Sequence, residues 1–102
     1  MIVHMVLFRM KKDLSRAQIE HVFRSIGALK DKIPGIVSYS WGKYSSPEGL
    51  NKGFTHGFCT TFKDAAARDA YLPHPEHKKV VDIVLPTLEG GLDGVVAFDY
   101  EA

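Results

Sequence analysis

Basic runs, paired cysteines and long apolar stretches are all missing from this chain. Its thirteen Lys and Arg face twelve Asp and Glu, for a net charge of +1, with both signs mixed along the sequence. A nucleic-acid binder gathers its cations into a patch or stripe, so that partner class is not expected. Cys59 is the only cysteine, which excludes a disulfide framework and a thiolate metal cluster. No basic residue or helix start lies beside it, and it reads as packing. No apolar run approaches the ~20 residues that span a bilayer. The first residues lack the charged, apolar and small-residue order of a signal peptide. These absences point to a cytoplasmic protein without a membrane or nucleic-acid partner.

What is present is ordinary for a folded domain: 45% apolar and 25% charged residues, close to the average for globular chains. The 102 residues read as a single domain over positions 1–102. At this size a second copy helps to bury apolar surface.

Ile2 to Met10 is a nearly unbroken apolar run rich in branched residues, short for a helix and good for a strand. His4, Val6 and Phe8 share one face; Val3, Met5 and Leu7 share the other. Ser15 then opens a helix, with Gln18 at the capping-box spacing and Leu14 and Ile19 placed for a hydrophobic staple. Its apolar stripe is Ile19, Val22, Phe23, Ile26, Leu29 and Ile33, and Pro34-Gly35 ends it. Ile36 to Tyr44 reads as a second strand, with Val37, Tyr39 and Trp41 alternating with small residues; Tyr39 and Trp41 read as packing residues. Ser45 to Gly53 is an exposed loop; its Ser46-Pro47-Glu48-Gly49 turn is not a phosphate cradle. Phe54 to Phe62 is a third strand with Phe54, His56, Phe58, Thr60 and Phe62 on one face.

Asp64 caps a short helix from Ala65 to about Tyr71. Pro73 interrupts it, and Pro75 opens another with His74 as its cap. His77 heads the apolar series Val80, Val81, Val84, Leu88 at helical spacing, so it turns inward. Pro86 kinks or stops that helix, and a last strand runs from about Asp93 to Tyr100.

Strand, helix, strand, strand, helix, strand is the order of an α+β ferredoxin-like βαββαβ sheet with its helices on one face. Its other face, with Val3, Met5 and Leu7, is then bare. A homodimer packed sheet to sheet, forming a dimeric α/β barrel, would cover it.

Strand parity brings His4, His56 and the inward His77 toward one space, walled by Phe8, Val22, Phe23 and Ile26, with Tyr71 at its edge. An apolar hollow of roughly 300 Å³ or more with a few convergent polar groups is the form of a small-molecule site. Imidazole, with an ordinary pKa of about 6.5, takes protons near neutral pH, and a phenol stabilises charge that develops on a carbonyl oxygen. His4 and His56 read equally as half-buried histidines bonded to backbone, and Tyr71 as an anchor for the helix turn. His74 and His77 are spaced to approach one metal ion, but no third ligand is placed beside them.

Four segments carry a resemblance: His4-x-Val6-x-Phe8; Gly53-Phe54-Thr55-His56; the run Asp69-Ala70-Tyr71-Leu72-Pro73-His74-Pro75-Glu76-His77; and Phe98-Asp99-Tyr100. Over almost its whole length the chain resembles the stress-responsive dimeric α/β-barrel domain family. The resemblance implies a ferredoxin-like barrel half that dimerises through its sheet. The family includes a plant polyketide cyclase, which performs an aldol condensation with a histidine base and an assisting tyrosine, without a cofactor. Matched by motif, those roles fall on His77 and Tyr71. Substrate-binding positions fall on His4 and His56 and, less strictly, on Val6, Phe8, Phe23 and Ile26. The chain departs from that pattern between His77 and the last strand, where it is longer and carries Pro86 and Gly90-Gly91.

Three functions are consistent with this reading. The first is a cofactor-independent cyclase or lyase acting on a small carbonyl or polyketide-like compound. The second is a stress-associated dimeric protein that binds a small molecule or only oligomerises. The third is a haem-binding barrel, since other dimeric α/β barrels use that cofactor.

Overall fold

The computed structural model describes residues 1–102. Strands β1 (Ile2–Phe8), β2 (Ile36–Lys43), β3 (His56–Phe62) and β4 (Val95–Glu101) form one antiparallel sheet in the order β2-β3-β1-β4. Helices α1 (Arg16–Gly27), α2 (Ala65–Tyr71) and α3 (Pro75–Val84) link them. Together α2 and α3 take the place of the second helix in a βαββαβ chain. This is the expected ferredoxin-like fold, with β1 and β3 at the centre.

The helix boundaries follow from their caps. The Gln18 backbone N–H donates to Ser15 Oγ at 3.1 Å, and the Ser15 N–H donates to Gln18 Oε1 at 2.7 Å. That reciprocal pair is the capping box, and it satisfies two of the donors a helix start leaves free. Val22, Phe23 and Ile26 are the buried face of α1. Beyond Gly27 the chain tightens into a 3-10 turn over Ala28–Asp31, and Leu29 and Ile33 continue the stripe into the core. At Gly35 the backbone has φ +95°, and a Cβ there would stand 2.5 Å from the Ala67 methyl on α2. Only glycine suits both conditions. Asp64 caps α2 by accepting from the Ala67 N–H at 2.8 Å. Pro86 falls where α3 has already ended at Val84 and passed into a tight turn over Leu85–Thr87.

Strand boundaries differ from the sequence expectation. β1 stops at Phe8, and the buried Met10 meets only Leu88 in an isolated bridge. β3 begins at His56, two residues late, and β4 at Val95, because Gly91–Gly94 form a tight turn. A register shift between Ile36 and Ser38 also breaks the row of Val37, Tyr39 and Trp41: Ile36 stands opposite Phe62, and Val37 has no partner in the pairing. A bulge adds one residue to one strand and so breaks its alternation.

One core lies between sheet and helices. Ile2, Val6, Phe8, Phe58 and Phe62 from the sheet meet Val22, Phe23, Ile26, Tyr71, Val80 and Val84 from the helices. The opposite face of the sheet is open, with Met5, Leu7, Val96, Phe98 and Tyr100 each at least 39% exposed.

Candidate functional site

Pro73 sets up the site by breaking the chain between α2 and α3. Tyr71 closes α2 with its ring buried, T-shaped against Phe62 at 4.9 Å between centroids. Directly after the break His74 caps α3, its Nδ1 accepting the Glu76 N–H at 3.1 Å. It serves as the cap its position implied. One turn on, the ring of His77 lies 4.4 Å from that of Tyr71. The ring of His4, from β1, lies 6.2 Å from that of Tyr71.

These three polar side chains open onto one hollow of about 210 Å³. Its remaining lining includes Val6, Phe8 and Ile26, the α3 residues Val80, Val81 and Val84, and Val95 and Ala97 of β4. Leu92, 74% exposed, overhangs the mouth from the turn that follows Gly90 and Gly91. The volume is below the ~300–1,000 Å³ of drug-sized ligand pockets. It falls short of the size expected from the sequence and is poorly matched to a porphyrin. No three His, Cys, Asp or Glu side chains come together as metal ligands would.

Three expected members lie elsewhere. His56 pairs with Phe8, whereas His4 pairs with Thr60, four residues along the same strands. At ~3.4 Å per residue that separates them by ~14 Å. His56 shares the helix-facing parity but not the hollow. Its ring stacks on Phe23 at 5.9 Å, and its Nδ1 is 2.8 Å from Thr55 Oγ1. Burial, and then the charge of Lys43, hold its pKa below the ordinary value. Phe23 is also absent from the hollow. Trp41 stacks flat on it at 4.5 Å, Phe8 packs at 5.8 Å, and the Tyr39 hydroxyl donates to its carbonyl at 2.8 Å. Those contacts make Phe23 a core residue, fully buried. Val22 is likewise buried in the core and outside the hollow.

The hydrogen bonds assign the imidazole tautomers. His77 Nδ1 is 2.9 Å from the Leu72 carbonyl oxygen. A carbonyl only accepts, so Nδ1 carries the hydrogen and Nε2 holds the lone pair. Burial lowers the pKa of His77; the bond to Leu72 opposes this, and the charges of His4 and His74 add to the lowering. The ring is therefore neutral at neutral pH. Burial pushes the Tyr71 hydroxyl up to about 12, so it stays a donor. No protein group bonds that hydroxyl, yet no fully enclosed side-chain polar atom is left unpaired. Its oxygen must face the hollow that Tyr71 lines.

Two further residues belong to this corner and were not anticipated. Asp99 on β4 approaches His4 Nδ1 with Oδ1 at 2.6 Å, and Arg68 Nη1 donates to its other oxygen at 2.9 Å. Burial works against ionisation of Asp99, but the hydrogen bonds and charges of His4 and Arg68 prevail and hold its pKa below the ordinary value. The signal was present in the strand parity. Phe98 and Tyr100 flank Asp99 and face outward, so Asp99 had to face the helices, where a carboxylate requires a partner.

A model of the stress-responsive A/B barrel domain matches residues 2–102. The chain belongs to that family. It is 34% identical over 98 residues to the stress-response A/B barrel domain-containing protein HS1 of Arabidopsis thaliana, covering 96% of this chain and 86% of that one. It is 28% identical over 80 residues to olivetolic acid cyclase of Cannabis sativa, covering 78% and 79%. Among solved structures, a dimeric ferredoxin-like protein of unknown function from Jannaschia superposes with a TM-score of 0.87 at 26% identity, covering 99% of this chain and 98% of that one. A hydroxynitrile lyase from Passiflora edulis superposes with a TM-score of 0.85 at 27% identity, covering 97% and 90%. This A/B barrel fold is thus shared with a cyclase and a lyase, and its structural neighbours include a dimer.

Proposed function

We propose that this A/B barrel protein is a homodimeric, cofactor-independent enzyme of the cyclase or lyase type, acting on a small carbonyl compound. The observation that carries this reading is the pairing of a free imidazole nitrogen, His77 Nε2, with a free phenol, Tyr71, in one apolar hollow. His77 Nε2 removes a proton alpha to a carbonyl. The Tyr71 hydroxyl donates to the carbonyl oxygen as negative charge gathers there. The apolar walls strengthen that hydrogen bond by keeping water out. The resulting enolate adds to a second carbonyl, or forms in reverse when a carbon–carbon bond breaks. The family relatives named as a cyclase and a lyase support the reaction class.

Dimerisation rests on the open sheet face. Burying each leucine-sized side chain is worth about 1.5–3 kcal/mol, and Met5, Leu7, Val96, Phe98 and Tyr100 form a continuous exposed row. The dimeric neighbour supports a homodimer.

The test is His77→Ala assayed on any small carbonyl compound that the wild type converts. The fold persists and turnover is lost; a variant that still turns over removes His77 from the mechanism. A second reading, a non-catalytic small-molecule binder, draws on the modest volume of the hollow. It predicts binding without conversion in both proteins.

A further inference from the structure

Proton transfer between His77 and Tyr71 leaves the chain of contacts behind His4 without a task. Asp99 is ionised, and an ionised carboxylate only accepts hydrogen bonds. At 2.6 Å from Asp99 Oδ1, His4 Nδ1 must therefore carry the hydrogen. Nε2 is left to face the hollow that His4 lines. Arg68 holds the other carboxylate oxygen through Nη1, while its Nε donates to Asp69 at 2.7 Å. A guanidinium bonded at two points presents a rigid fork. Arg68 and Tyr71 lie three apart on α2, and residues three apart share a helix face. One turn of helix thus sets both the carboxylate clamp and the phenol.

We propose that Asp99, clamped by Arg68, is a positioning residue that fixes His4 in its Nδ1–H form and so places a second working imidazole nitrogen in the hollow, opposite His77. This deepens the proposed carbonyl chemistry and rests on it. Two imidazoles that both pack against one phenol suit a substrate with two oxygen functions: an enolisable carbonyl and a second carbonyl that becomes a hydroxyl. In the bond-forming direction His77 Nε2 takes the proton from the alpha carbon. The enolate carbon attacks the second carbonyl carbon, and the carbon–oxygen π pair moves onto oxygen. That oxygen takes the proton now on His77 Nε2, passed through a water whose other hydrogen bonds to the bare Nε2 of His4. His77 ends neutral, and His4 keeps its single hydrogen on Nδ1 throughout. The product is a β-hydroxycarbonyl compound, and the reverse sequence cleaves one.

The experiment reads the tautomers directly. Long-range proton–nitrogen NMR spectra of the 15N-labelled full chain at pH 8 resolve both nitrogens of each histidine, with His4→Gln assigning the ring. In the wild type, His4 Nε2 is expected at the position of an unprotonated nitrogen. In Asp99→Asn, Arg68 keeps the amide carbonyl oxygen and the amide N–H turns to His4. The ring then shifts to its Nε2–H form, and the two nitrogen signals exchange positions. Asp99→Glu restores the wild-type pattern, and His77 keeps its Nδ1–H form throughout. The proposal is overturned if wild-type His4 already carries its hydrogen on Nε2, a result that needs no variant to fold. It is equally overturned if Asp99→Asn leaves the His4 pattern unchanged. No substrate enters this measurement, so its failure leaves the roles of His77 and Tyr71 standing. Failure of the His77→Ala assay, in turn, leaves the tautomer result intact.

Discussion

Replacing Tyr71 by phenylalanine and by alanine separates what its ring does from what its hydroxyl does. The ring is 2% exposed and packs on Phe62, His77 and His4. Tyr71→Ala deletes that buried ring, and removal of a large core aromatic costs about 3–5 kcal/mol. A domain of this size holds only about 5–15 kcal/mol in all, so the alanine variant is close to unfolding. The hydroxyl has no partner in the protein and faces the hollow. Tyr71→Phe breaks no hydrogen bond within the protein and is therefore expected to cost less than about 1 kcal/mol, the net worth of one such bond. Its effect on turnover is of another order. Removing one preorganised donor from a developing oxyanion costs about 10²–10³ in rate. Urea denaturation and steady-state kinetics on the same two variants give both readouts. If Tyr71→Phe costs more than ~1 kcal/mol, the hydroxyl is a structural anchor bonded within the protein. If it is stable and fully active, the phenol takes no part in the chemistry.

Other outcomes follow from named contacts. With the pKa of His77 lowered, kcat/KM climbs as pH rises through a value below the ordinary 6.5 and is level by neutral pH; a pH–rate profile checks it. The unfolded chain binds protons at His56 and His77 near pH 6.5 while the folded chain resists them, so stability falls as pH drops below that value. Denaturant titrations between pH 7 and 5 measure the loss, and a stability that rises in that interval contradicts the burial of both rings. Phe98→Asp puts a charge on the most exposed aromatic of the open sheet face; sedimentation analysis is expected to show a monomer where the wild type is a dimer. Gly35→Ala meets the Ala67 methyl and a left-handed backbone at once, and is expected to cost more than ~1 kcal/mol in thermal or chemical denaturation.

Much of the fold was legible because local signals agreed with one another. The Ser15–Gln18 box, the Asp64 cap and the His74-Pro75 start each fixed a helix end through a specific hydrogen bond. Alternation in β1 set which side chains met the helices, and it held from Ile2 to Phe8. The bulge at Val37 escaped because it depends on pairing with β3, a non-local event. Parity also misled at His56. It states which face a side chain takes and is silent on how far along the sheet it stands, so two histidines on one face were drawn into one space. Register decides that distance, and the aromatic pile of Phe8, Phe23, Phe58 and Trp41 fills the interval. Asp99 was overlooked for the opposite reason. Its neighbours Phe98 and Tyr100 drew the reading to the open face, while the inward carboxylate between them holds His4.

The most direct test is an NMR titration of the wild-type chain with a small aromatic ketone such as acetophenone. The account predicts saturable shifts at His4, Tyr71, His77, Val80 and Ala97, with His56 and Trp41 unmoved. Shifts that gather around His56 and Trp41, or none anywhere at saturating ketone, contradict it.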